Sequence, residues 1–250
     1  GSAPDTSAVV NLGPGGKLTV TGNLAAGGIG NVAGKFHGRF LGVGDIEYNN
    51  TAAPQGAWDW ENSGNAYVGN AIITSGRLRF VSANDAADAT ALGNVDNGLI
   101  FNGSVVNSMN NAGGTASIQV TNGASATLAN TRSITLNDGR EGTFYVWGET
   151  SFTVQGVIGG GGNLRKEDTG TLVITNPGNN YGGETKVVNG TLLLGANEVL
   201  PDSTLLRIGA STALTPTVDL NGRTETVAGL SSVQASDEAV LTNGVVKSSS

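Results

Sequence analysis

The chain has 250 residues, with 20 acidic and 13 basic side chains, a net charge of −7, one histidine and no cysteine. That balance excludes a general nucleic-acid binder, which must neutralise phosphates, and weighs against docking on an anionic membrane. Without thiols there is no disulfide scaffold, and a single histidine with no cysteine rules out a zinc site in practice.

The 40 glycines, set against 13% charged and 5% aromatic residues, suit many short strands joined by tight turns better than a two-layer globule. β-branched residues spread along the whole chain argue against disorder. Gly1-Ser2 reads as an expression scar and residues 3–250 as one segment. No apolar run of about 20 residues occurs in these 250 residues. The ending Val245-Val246-Lys247 with three serines reads as a cut in a longer protein.

In chain order, Leu18 to Gly22 alternates apolar and polar residues, the first strand signal. Ala83 to Leu92, rich in Ala and Asp, is either a short helix or a loop leaving the main body. Further strands follow at 118–121, 133–136, 152–154, 171–174 and 191–194, each bounded by Gly, Asn or Asp. Asn-Gly pairs recur at 97, 102, 122, 189, 221 and 243, where backbone with φ > 0 is cheap.

An internal repeat decides against simple hairpins. Gly56-Ala57-Trp58-Asp59-Trp60 aligns with Gly170-Thr171-Leu172-Val173-Ile174, Tyr67 with Tyr181, and Gly76 with Gly190, at a gapless offset of 114. Copies therefore lie around 56–81 and 144–195. One β-helix turn takes about 20–25 residues, so the chain should form about ten coils. The expected fold is an all-β, right-handed parallel β-helix (β-solenoid), its hand following the crossover rule. Under the offset, Trp58 and Trp60 replace Leu172 and Ile174 and are expected in the core. Alternation across Phe144-Tyr145-Val146-Trp147 puts Phe144 and Val146 inside and Tyr145 and Trp147 outside, where exposed aromatics can contact a sugar or a protein partner.

Candidate chemistry is sparse. Asp45, Glu47, Asp59, Glu61, Asp138, Glu141 and Glu149 form no adjacent Asp pair on a strand and mostly read as solvated turn residues. His37-Gly38-Arg39 is superficially similar to a catalytic segment of pectin-degrading β-helices, but its Asn-Thr-Asp and Asp-Asp partners are absent. Gly159 to Gly162 lacks the Gly-Lys-Ser/Thr of a phosphate loop and reads as a turn between coils. Asp85 and Asp88 offer at most an opportunistic calcium turn.

Residues Gly161-Gly162-Asn163-Leu164-Arg165-Lys166, Gly170-Thr171-Leu172-Val173-Ile174, Asn180-Tyr181-Gly182-Gly183 and Asn189-Gly190-Thr191-Leu192 resemble the autotransporter-associated β-strand repeat of type V secreted bacterial passengers. The segments Val218 to Gly222 and Val227 to Leu230 look like the coils that follow it. The resemblance implies a right-handed β-helix, export across two membranes via the periplasm to the cell surface, and an outer-membrane translocator barrel as partner. It also implies a repeat that assists secretion or folding and carries no catalytic residues. Gly161, Gly162, Leu164, Gly170, Leu172, Tyr181, Gly183, Asn189, Gly190 and Leu192 carry that role. The expected function is thus a non-enzymatic surface stalk with no cofactor and no membrane insertion of its own, whose other partners are the neighbouring coils of its parent. The rivals are an adhesin binding glycan or host protein through Tyr145 and Trp147, and a carbohydrate-active enzyme.

Overall fold

The computed structural model describes residues 9–21, 32–36, 39–50, 57–60, 64–80, 92–105, 116–120, 125–209, 214–232 and 239–249. Every regular element among them is a strand, and no helix there is long and apolar enough to cross a membrane.

The strands wrap one core on three faces. On the first face Val9–Val20, Arg39–Asn49, the start of Ala71–Phe80, Leu99–Phe101, Ile134–Leu136 and Ile158–Gly159 pair in parallel. On the second, parallel pairing runs from Val32–Phe36 and Ala57–Trp60 through the end of Ala71–Phe80 to Ala116–Val120 and Arg140–Val146. It continues through Asn163–Glu167, Thr185–Val187, Leu205–Ile208 and Gly229–Ser232. On the third, Ala126–Leu128, Ser151–Val154, Thr171–Ile174, Thr191–Leu194, Thr217–Asp219 and Val240–Thr242 do the same. One excursion departs from this pattern: Gly103–Ser104 pairs antiparallel with Arg140–Glu141, beside the second face.

This is the parallel β-solenoid expected, with about seven turns instead of ten. The count falls because turns differ in length. Phe152, Leu172 and Leu192 stack at steps of 20 residues, whereas Leu99 reaches its partner Ile134 only 35 residues on.

The core is a set of ladders, one inward residue per coil. Ile46, Ala71, Leu99, Ile134 and Ile158 form one on the first face; Phe152, Leu172, Leu192 and Val218 form one on the third, and all are buried. The three faces meet through Phe101, Phe144 and Phe152, whose rings lie 5.5 and 5.7 Å apart. Fully burying such a side chain stabilises by roughly 1.5–3 kcal/mol, and no coil can gain this without a neighbour.

The 114-residue repeat is kept locally but not in phase. Asn65 and Asn179 accept the backbone N–H of Phe40 and of Ile158 at 2.8 and 2.7 Å, and Tyr67 and Tyr181 are both fully buried. Yet Ala57–Trp60 belongs to the second face and its counterpart Thr171–Ile174 to the third. The side chains of Trp58 and Trp60, and residues 1–2, 37–38, 83–91 and 122–123, lie outside the described residues.

Candidate functional site

The residues singled out from the repeat form two rows of turns and the core between them. Where the first face turns into the second, Gly161 N–H donates to Asp138 Oδ1 at 2.8 Å, Gly162 N–H to the Leu136 carbonyl at 3.0 Å, and Gly183 N–H to the Gly162 carbonyl at 3.1 Å. Where the second turns into the third, Gly170 N–H donates to the Val146 carbonyl at 2.8 Å and Asn189 Oδ1 accepts Gly190 N–H at 2.8 Å. Leu164, Leu172, Tyr181 and Leu192 are core. Tyr181 Oη contacts Thr185 Oγ1, which reaches Thr204 Oγ1 at 3.0 Å, and burial holds the Tyr181 hydroxyl above its ordinary pKa. Gly159 to Gly162 turns between faces rather than between coils.

Lys166 is the exception inside the core. Alternation in Asn163–Glu167 points it inward with Leu164, level with Phe144 and Val187. Its Nζ donates to the carbonyls of Glu167, Asp168 and Asn189 at 2.8, 2.6 and 2.9 Å. Three acceptors match the three N–H groups of an ammonium, closing the turns of two successive coils with one side chain. Burial opposes the charge and brings its pKa down to about 7, with Asp168 and Glu167 pulling the other way. Arg132, also fully buried, closes another turn by donating to the carbonyls of Asn97 and Asn94 at 2.8 and 3.1 Å. Glu225 accepts the N–H groups of Val199 and Leu200, both at 3.0 Å, where no strand forms. Burial raises its pKa to about 7, against the pull of those two N–H groups.

The outer side of the second face carries the charge. Register sets Arg77, Ser117, Thr143, Arg165, Lys186 and Arg207 in one row. Lys186 Nζ lies 2.8 Å from Glu141 and 3.7 Å from Glu184. Arg165 pairs with Glu167 and lies 4.0 Å from Glu141. Burial raises the Glu167 pKa, and Arg165 opposes the rise. Glu141 is therefore not the solvated turn residue expected: it is 1% exposed and ion-paired. Ser117 Oγ, Thr143 Oγ1 and Glu167 Oε2 are buried without a hydrogen-bond partner.

Tyr145 and Trp147 point outward and Phe144 and Val146 inward, as alternation requires. Only Trp147 is open, at 47% exposure. Tyr145 is half-buried beneath the Arg77 guanidinium, 3.8 Å from its ring centre, and burial pushes its hydroxyl up to about 12. Among the described residues no group of three or more His, Cys, Asp or Glu could hold a metal ion.

Sequence reasoning missed Lys166, Arg132, Glu225 and the buried charge row. Strand parity does place Lys166 inward, a signal in itself. Nothing in the sequence marks Arg165 or Glu167 as covered. No protein-family model matches the chain, and no curated protein or solved structure matches it either.

Proposed function

We propose that this chain is a structural stalk of an exported bacterial surface protein, an autotransporter passenger segment that assists its own secretion and folding and displays what lies beyond it. The observation that carries the reading is the coil-by-coil ladder. From Phe152 to Val218 each inward residue of the third face meets its partner within one turn of chain. Such short-range partners let each coil close as soon as it emerges, without waiting for distant chain. A chain that crosses a pore unfolded and folds outside would be biased outward by each closure. The residues with this role are those of the two turn rows and the core between them, with Lys166 added. The translocator barrel and neighbouring coils are the partners, and the cell surface is the location.

Deleting residues 156–195 from the exported parent tests this. The expected result is slowed appearance at the surface, followed by accessibility to external protease; an unchanged export rate would sink the proposal.

Exposure of Trp147 favours an adhesin as the second reading. Glycoside hydrolysis is less well supported. Glu141 and Glu184 do approach each other, but Lys186 is paired to both, occupying the space that a nucleophile, water or leaving oxygen needs between two catalytic carboxylates.

A further inference from the structure

We infer that the outer side of the second face holds a binding groove for a neutral mono- or disaccharide, centred on the Glu184–Arg207 pair. The groove is open to solvent along one side and offers about 350 Å³, at the small end of the range of roughly 300–1,000 Å³ typical of ligand sites. Its floor is one row of three successive coils. Leu164, Thr185 and Leu206 stack inward, so their outward neighbours Asn163, Glu184 and Leu205 lie side by side, and all three line the groove. Val105, carried in by the antiparallel Gly103–Ser104 excursion, forms the opposing wall, and Gly182 and Ser203 lie at the rim.

Three features select the ligand class. Arg207 Nη1 lies 3.2 Å from Glu184 Oε2, and the two side chains are 28% and 33% exposed. Lys186 Nζ also lies 3.7 Å from the same Glu184 oxygen; a guanidinium has five N–H donors and a carboxylate about four acceptor sites, so these contacts still leave donors of Arg207 and acceptor sites of Glu184 for a ligand. Adjacent planar donors and acceptors suit the vicinal hydroxyls of a sugar. Charge is balanced as well. Glu184 lies against Arg207, and Lys186, the other cation in the lining, sits between Glu184 and buried Glu141, so two carboxylates face two cations. An anion would therefore gain little over an uncharged ligand. Lastly, Leu205 and Val105 give an apolar surface for the C–H face of a pyranose ring, as ligand sites with few fixed polar groups usually do. Strands repeat at about 4.8 Å, a step comparable to one sugar ring, so the site runs along the solenoid axis. This inference does not depend on the export reading.

Titration of the whole chain with a panel of neutral mono- and disaccharides and their uronate counterparts, followed by calorimetry and ligand-observed NMR, tests it. At least one neutral sugar is expected to bind, with affinity roughly tenfold weaker in Arg207→Met, the scale of a lost hydrogen bond to a charged group. Gly182→Phe should abolish binding by filling the groove while leaving the melting temperature unchanged. An added Cβ at Gly182 meets nothing nearer than 3.5 Å, so the backbone tolerates it. Trp147→Ala should bind as the wild type does. The proposal is overturned if no neutral sugar binds, if uronates alone bind, if both groove variants bind normally, or if Trp147→Ala abolishes binding.

Discussion

A lysine placed among phenylalanine and valine is the least expected residue of this solenoid, and Lys166 shows why it is kept. Its ammonium donates to three carbonyls from two coils, and a buried carbonyl left without a donor costs about 1–3 kcal/mol. Its charge makes stability pH-dependent. The folded pKa of about 7 lies below the ordinary 10.5, so the unfolded chain binds the extra proton between those values. Stability from this group is full above about 10.5 and is lost as pH falls through 7. Glu225 has the opposite sign. Raised from 4.5 to about 7, it contributes fully below 4.5 and loses its contribution as pH rises through 7. Urea unfolding at pH 5, 7 and 9 should show Lys166→Met flattening the upper limb and Glu225→Gln the lower one. Unchanged slopes would mean that neither group titrates in the folded state. Glu141→Gln is a separate case: it removes the nearer counter-charge of the buried Lys186 ammonium and should cost about 3 kcal/mol, whereas the double change Glu141→Met with Lys186→Met should cost less than either alone.

Among the elements, the turns are more constrained than the strands. Gly160 adopts φ +95, and a Cβ there would lie 2.1 Å from the Leu136 carbonyl oxygen of the preceding coil. Both the left-handed backbone and the coil spacing thus demand glycine. Gly160→Ala should lower the urea midpoint by the equivalent of at least about 1–3 kcal/mol, while Gly182→Ala, two residues from the same turn row, should leave it unchanged. These turns were legible because glycine at a tight φ is local chemistry. The face to which a strand belongs was not. Ala57–Trp60 and Thr171–Ile174 share spacing and parity, yet the first pairs on the second face and the other on the third.

For the whole molecule, stability should add coil by coil. Removing residues 172–191 would bring Leu192 to the place of Leu172, on top of Phe152, one full turn shorter. That deletion should keep the far-UV circular dichroism of a β-solenoid and lower the melting temperature only modestly. Removing residues 172–181 alone cuts half a turn and should abolish cooperative unfolding; equal behaviour of the two deletions would contradict a coil-wise solenoid.

Strand existence, inward parity and turn positions were determined by the sequence itself, because each depends on residues a few positions apart: alternation at Phe144 to Trp147, glycine at 160 and 190. The tertiary structure alone decided the length of each turn, the coil count and which outward residues are covered. Arg165 and Glu167 read as solvent-facing by parity, but neighbours from other coils bury them, and Arg77 closes over Tyr145 from a strand more than 60 residues away. Burial of an outward position is set by what packs across it, and a period of two along one strand carries no record of that.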